Sequence, residues 1–325
     1  MKHALMLFLK AGVSIGLLGF FLLQSDWGSF LHVLSNAGGR YLIAGLLIYF
    51  CCQTLSSIRW TVLARAAGFQ NRFMDLAQYF FIGMFFNLFA PSTVGGDVGR
   101  VFYLARDGVN AREHARAGLT TFAAMSVLAD RAIGMAVLIW LGAAAVVAFP
   151  GYELPPVIRY LTFAVALGFV AAFVSLSALT RLFHGKNIRL VQKLHLALDT
   201  YRQRRGAIFQ AMAISLIVHS LQAWIHVLIG RALGAEIPFS YAFIAYPLVG
   251  TFSALPISLN GLGLREGGYV FMLTSIGVSK EQAIAFGLLW FIIVALDSLI
   301  GGLIFVMKKR PAPSAAAAAE NYARK

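Results

Sequence analysis

Long apolar runs separated by short basic stretches make up most of the chain, and their lengths sort them into two kinds. Six run for about 20 residues or more with few charges, the length a helix needs to cross a hydrocarbon core of roughly 30 Å. They are Ala4 to Leu23, Tyr41 to Leu63, Ala117 to Phe149, Val157 to Leu179, Ala207 to Gly230 and Glu281 to Met307. Two more, Leu76 to Ala90 and Phe239 to Leu255, are shorter and stop at Pro91 and Pro256. At that length they are predicted to enter the membrane and turn back. The runs are continuous rather than alternating, which selects helices over a barrel. The predicted fold is an all-α polytopic membrane protein, with about six full transmembrane helices and two re-entrant helical hairpins.

Composition agrees with that pattern. Of 325 residues, 59% are hydrophobic and 12% charged, about half the charged share of a soluble domain; mean hydropathy is +0.77. The net charge of +14 does not point to nucleic acid, because the basic residues sit in loops between apolar runs. Counted with the N-terminus inside and both short segments re-entrant, 21 of the 27 Lys and Arg fall on one side, the mark of a cytoplasmic face. Both termini are therefore expected in the cytoplasm, with the first apolar run retained as a span. That count places Arg59 and Arg100 with the inside loops. Cys51 and Cys52 are adjacent within an apolar run, a spacing that fits neither a disulfide framework nor a metal or redox motif. No cofactor or metal is implied.

One basic loop, Arg181 to Arg205, contains an amphipathic stretch with Ile188, Val191, Leu194, Leu198 and Tyr201 at helical spacing. It is expected to form a helix along the anionic inner leaflet. An integral membrane domain is expected over 1–310, and 311–325, with its five consecutive alanines, reads as a disordered cytoplasmic tail.

The two prolines that end the short runs bring a second correspondence into register. The first continues as APSTVGGDVGR and the second as LPISLNGLGLRE, with Pro91 and Pro256 each nine residues before an arginine, Arg100 and Arg265, and with Gly96 matching Gly261. The offset of 165 is about half the chain, so the halves are taken as 1–150 and 151–310. An odd number of crossings separates the copies, which makes them an inverted repeat with hairpins opening to opposite sides. In each turn, proline ends a half-helix and glycine lets the backbone reverse. The next half-helix then begins inside the membrane, where its free amides and positive dipole end suit a phosphate or carboxylate. Gly95, Gly96, Asn260, Gly261 and Gly263 are the candidate turn residues for such a contact. Arg265 ranks first among the side chains for holding the anion, then Arg100 and Arg131.

An ionised group at the bilayer centre costs at least about 2.5 kcal/mol, so charges at membrane depth should face a polar cavity and one another. Asp97 with Arg100, Asp130 with Arg131, and Arg265 with Glu266 are neighbours in sequence, and Asp297 lies within the last span. The acids are expected to balance the arginines or carry coupling protons; the bland alternative is ion pairs that lock helices together. The fifth span carries Ser215, His219, Gln222 and His226 on one helical face, and the second carries Gln53, Ser56, Ser57 and Arg59. These faces are expected to wall one cavity, with the histidines in interhelical hydrogen bonds rather than on a metal.

At NLFAPSTVGGDVGR, SVLADRAIG, PISLNGLGLREGG and SSIRW, the chain resembles the flippase-like membrane domain family named for lysylphosphatidylglycerol synthase. The resemblance runs from the first span to about Met307. It implies a multi-helix domain with two re-entrant hairpins in the bacterial inner membrane, and a role in moving lipids between leaflets: aminoacylated phosphatidylglycerol in the fused enzymes, hopanoid or polyprenyl-linked lipids among others in stand-alone members. The fused enzymes carry a soluble aminoacyltransferase domain after the membrane part. This chain ends about 18 residues beyond its last span, so a translocase without synthase activity is expected. The sequence shows no HExxH, GxSxG or Walker loop. The alternatives are an intramembrane lipid-modifying enzyme, with His219 or Asp130 as its base, and a non-transporting partner of a lipid-synthesis enzyme.

Overall fold

A computed structural model describes residues 16, 26–89, 95–107, 116–182, 189–254, 258 and 261–308. Among them lie eleven helices and no strand. In chain order they are α1 (Trp27–Ser35), α2 (Gly39–Ala66), α3 (Phe73–Phe89), α4 (Gly95–Arg106), α5 (Arg116–Ala148), α6 (Pro156–Leu182), α7 (Arg189–Gln203), α8 (Arg205–Ala232), α9 (Phe239–Ser253), α10 (Leu264–Thr274) and α11 (Lys280–Met307).

Four of these helices, α2, α5, α8 and α11, are long and apolar enough to cross a membrane. The apolar stretch of α6, Pro156–Ala172, is shorter, and the expected first span, Ala4 to Leu23, lies outside the described residues apart from Gly16, as does the 311–325 tail. Both short apolar segments are helices, α3 with 17 residues and α9 with 15. At 1.5 Å per residue they reach about 26 and 22 Å, short of the roughly 30 Å core. Each is followed by a second short helix packed against it, α4 on α3 and α10 on α9. The prolines Pro91 and Pro256 lie outside the described residues.

Sequence and local chemistry explain the helix ends. Asp26 caps α1 by accepting from the Gly28 and Ser29 amides; the apolar pattern does not predict this helix, because its nine residues are too few to show a period. Ser279 and Gln282 form a reciprocal capping box at the start of α11, which satisfies two amides that otherwise lack partners. Pro156 stands at the first position of α6, where its missing N–H costs nothing.

The exterior is apolar, and the interior is an apolar core with polar and charged side chains set into it. On α11 the exposed side chains Ile292, Leu296, Leu299 and Leu303 recur at steps of four, three and four, and on α2 Ile43, Leu47 and Phe50 do the same. The buried set, by contrast, includes Gln53, Ser56, Ser57, Arg59, Asp130, His219 and Asp297. Apolar stripes of this extent mark a surface that faces something other than water.

Packing follows an exchange rule. The contact between α2 and α8 is the most extensive among the described helices; α3 crosses α11 as α9 crosses α5, and α4 lies on α5 as α10 lies on α11. When the first half is exchanged for the second, the α2–α8 pairing maps onto itself and each of the others onto its counterpart. The α3–α11 crossing is close enough that a Cβ on Gly301 would sit 1.9 Å from the Phe81 carbonyl oxygen. In its counterpart, Gly142 of α5 faces Pro247 of α9. The amphipathic helix α7 is fastened to the end of α2 by Tyr201, whose hydroxyl donates to the Leu63 carbonyl at 3.1 Å, while Leu196 on the same helix is exposed.

Candidate functional site

A cavity of about 390 Å³ lies where α2 and α8 meet the two short-helix pairs, and most of its polar lining is arginine, amide and hydroxyl. From α2 come Tyr49, Gln53, Ser56 and Arg59; from α8, His219 and Gln222. The pair α3–α4 contributes Asn87 and Arg100, α5 contributes Asp130 and Arg131, α10 contributes Arg265 and α11 contributes Ser298. Helices far apart in sequence thus converge on one polar space inside an apolar shell.

The charges are cross-wired rather than paired with their sequence neighbours. Asp130 is buried and takes Arg59 Nε on one oxygen at 2.7 Å and Arg100 Nη2 on the other at 3.0 Å. Arg131 turns away to Asp97, which it grips through Nε and Nη2 at 3.0 and 2.9 Å. The expected neighbour pair of Asp130 with Arg131 is therefore replaced: consecutive helix residues point about 100° apart, and each of these two has a partner on another helix. Asp97 also lies 3.5 Å from Arg100, so that pairing is present but secondary. Arg265 meets Glu266 at 3.4 Å, and the Glu266 carboxylate also accepts from the Gly263 amide at 2.6 Å.

Arg59 is the residue the charge count misplaces. It is buried at 8% exposure, bound to Asp130 and to Ser215 Oγ at 2.9 Å. Arg100 is buried deeper, its guanidinium over the Trp60 and Phe80 rings at 4.2 and 4.8 Å. Neither belongs to a solvated loop. The polar patch with Gln53, Ser56 and Ser57 on a span is the sequence signal that places Arg59 on a cavity wall, and Arg59 lines the cavity. Asn87, Tyr49 and Ser298 also line the cavity and lie outside the polar patches that the sequence marks.

Two guanidinium groups of the cavity lining keep a donor in reserve. Arg100 Nε and Arg265 Nη2 are buried and have no hydrogen-bond partner among the described residues, and the hydroxyls of Ser253 and Ser258 beside the second turn are in the same condition. Unmade hydrogen bonds of buried donors are costly.

The glycines of the turns serve approach and reversal. A Cβ on Gly96 would fall 1.8 Å from the Gly83 carbonyl oxygen, so α3 and α4 touch there only because neither has a side chain, and the Gly96 amide donates to Asn87 Oδ1 at 3.0 Å. Gly261 and Gly263 have φ of 74° and 83°, the left-handed region open to glycine. Gly95 opens α4; Asn260 lies outside the described residues. The Gly96 and Gly263 amides are thus already engaged.

Ser57, His226, Glu266 and Asp297 do not line the cavity. Ser57 faces back to the Thr54 carbonyl, and His226 is boxed by Tyr246, Tyr269, Phe286 and Trp290, with Nε2 at 2.6 Å from the Tyr269 hydroxyl. His219, which does line it, has both ring nitrogens occupied, by the Tyr246 hydroxyl at 2.8 Å and the Gly134 carbonyl at 3.0 Å. Tyr246 in turn donates to Gln222. Among the described residues no group of three or more His, Cys, Asp or Glu is placed to hold a metal ion.

An apolar exterior, four helices of spanning length and a buried polar chamber define a multi-pass α-helical membrane protein. The chain belongs to the family described as the Lysylphosphatidylglycerol synthase TM region, which it matches over residues 7–301. It is also similar to a UPF0104 membrane protein of Methanothermobacter thermautotrophicus, with 23% identity over 315 residues that cover 88% of this chain and 89% of that protein.

Proposed function

We propose that the chain is a lipid translocase of the bacterial inner membrane, both termini cytoplasmic, which moves an anionic or headgroup-modified lipid between leaflets. The headgroup occupies the central cavity while the acyl chains remain in the bilayer; phospholipids, polyprenyl-phosphate-linked lipids and hopanoid lipids all fit that description. The observation that carries the reading is that Arg100 and Arg265 both line a cavity of about 390 Å³ while each keeps a buried donor, Arg100 Nε and Arg265 Nη2, without a partner among the described residues. An anionic oxygen supplies the acceptors they lack, and charge-assisted bonds of this kind are roughly twice as strong as neutral ones.

The α3–α4 and α9–α10 pairs act as re-entrant hairpins from opposite leaflets, which gives the packing exchange its meaning: an inverted repeat with the binding site at its centre. Asp97, Asp130 and Glu266 hold the arginines in place. The basic helix α7 lies against the anionic inner leaflet, where each Lys or Arg near the surface contributes about 1 kcal/mol. The engaged nitrogens of His219 and the two bridges on Asp130 leave neither free as a general base, which favours translocation over lipid modification.

Vesicles containing fluorescent phosphatidylglycerol test the reading by the fraction of probe that reaches the outer leaflet. The wild-type chain is expected to exchange the probe and Arg265→Ala to slow exchange by about tenfold or more, as the loss of one charged contact worth about 1.4 kcal/mol implies. Undiminished exchange in both Arg265→Ala and Arg100→Ala would remove the proposed headgroup site.

A further inference from the structure

Among the described residues, Asp297 is the buried acid of the membrane region that the site does not use. It lies on α11 at 1% exposure, and neither carboxylate oxygen has a hydrogen-bond partner among the described residues. A buried carboxyl that bonds to nothing is costly and calls for a partner elsewhere in the cycle of the molecule.

The other half supplies the comparison. Asp130 opens the sequence DRAIG on α5 and Asp297 opens DSLIG on α11, an offset of 167 that runs beside the 165 between Arg100 and Arg265. The two acids therefore occupy matching places on the two helices that the packing exchanges. In the first half the matched arginine and acid are joined, Arg100 Nη2 to Asp130 Oδ2 at 3.0 Å. In the second half they are apart. Arg265 instead lies over the Phe291 ring at 5.8 Å with Nη2 unpartnered, and Phe291 precedes Asp297 by six residues, about 9 Å along the helix. The first half joins its matched arginine and acid, whereas in the second Arg265 pairs with its neighbour Glu266 at 3.4 Å and leaves Asp297 unpartnered among the described residues.

We infer that Asp297 is the partner Arg265 takes in the second state of the translocation cycle, when the Arg100–Asp130 bridge of the first half opens. The inference rests on the translocase reading, since it describes how the two hairpins trade places around the headgroup. An inverted repeat whose halves hold different arrangements reaches its other state when each adopts the arrangement of its counterpart. Closing Arg265 on Asp297 satisfies an orphaned donor and two orphaned acceptors at once. It also withdraws Arg265 from the headgroup, so that the lipid leaves as the bridge forms. Asp297 is thus a positioning residue that acts through Arg265 without touching lipid.

The test separates binding from turnover. In vesicles with fluorescent phosphatidylglycerol, Asp297→Asn is expected to slow exchange by at least about tenfold, because a bridge made in only one state sets how much of that state is populated. Binding of the same lipid by the purified chain should stay within about twofold of wild type by the same arithmetic, and Asp297→Glu should restore exchange. A cysteine at cavity residue Met135, with Cys51 and Cys52 replaced by serine, reports the state directly. It should react with an impermeant maleimide from both sides of the membrane in the Asp297 chain and from one side only in Asp297→Asn. Wild-type exchange in Asp297→Asn while Arg265→Ala is impaired overturns the inference and leaves the headgroup site standing. Loss of lipid binding along with exchange in Asp297→Asn overturns it too, as that is the result of a purely structural acid. Undiminished exchange in Arg100→Ala and Arg265→Ala fails the translocase reading itself and takes this inference with it.

Discussion

Replacing Asp130 with alanine is expected to destabilise the chain by about 3–5 kcal/mol, the range for breaking a buried ion pair by removing one partner. The reason is the number of charges that share this carboxylate. Arg59 and Arg100 each spend a hydrogen bond on it, at 2.7 and 3.0 Å, and their side chains are only 10% and 2% exposed. Without it, two guanidinium groups are left in a low-dielectric interior with the Ser215 hydroxyl and the more distant Asp97 as remaining polar contacts. The triple replacement Arg59→Leu, Asp130→Leu and Arg100→Met is expected to cost far less than Asp130→Ala alone, because no unpaired charge remains. Thermal unfolding of the detergent-solubilised chain, followed by tryptophan fluorescence, measures both. If the triple variant unfolded earlier than Asp130→Ala, packing around the arginines would outweigh charge compensation in holding this region together.

Gly301→Ala should have the second-largest effect. Its added Cβ would lie 1.9 Å from the Phe81 carbonyl oxygen and 2.5 Å from the carbonyl carbon, and because both atoms are backbone, no rotamer change relieves the clash. Helix propensity pulls the other way, since alanine is favoured over glycine by roughly 1 kcal/mol in a helix interior. Overpacking of a tight crossing costs about 1–3 kcal/mol and more where rigid backbone must move, so the clash wins. The α3–α11 crossing must open, and with it the wall that carries Asn87 and Ser298. Gly99→Ala, where the added methyl meets nothing within 4 Å, is the matched control and should be neutral or slightly stabilising. The comparison reads out in melting temperature and in leaflet exchange; equal behaviour of the two variants would mean the crossing is loose in solution.

How far the sequence reveals this arrangement depends on the range of the interaction. Apolar runs of about 20 residues mark α2, α5, α8 and α11 to within a few positions, because spanning length is a property of each segment alone. The short segments show in the same way, since α3 and α9 end close to Pro91 and Pro256. Local neighbours mislead on charge. Asp130 and Arg131 look like a pair in sequence, but helical geometry sends one to Arg59 and Arg100 and the other to Asp97. The charge count puts Arg59 at the edge of a basic loop while the polar face of its span puts it on a cavity wall, and the packing of α2 on α8, with Ser215 opposite, decides for the interior. The correspondence of DRAIG with DSLIG is present in the sequence too. It gains meaning only when the helix pairings show which elements exchange.

By composition the glycine turns offer their amides to an anion, and the structure moves attention to side chains. Gly96 and Gly263 donate to Asn87 and Glu266, partners that a search for phosphate-binding turns does not consider. Among the described residues, the unpaired side-chain donors near the turns are Arg100 Nε, Arg265 Nη2 and the hydroxyls of Ser253 and Ser258.

The central claim is tested most directly by an experimental structure of the full chain in nanodiscs rich in phosphatidylglycerol. The account predicts headgroup density inside the chamber, with an anionic oxygen in hydrogen-bonding distance of Arg100 Nε or Arg265 Nη2. Lipid density confined to the outer apolar faces, with both arginines closed on protein acceptors and the chamber collapsed between α2 and α8, would contradict it.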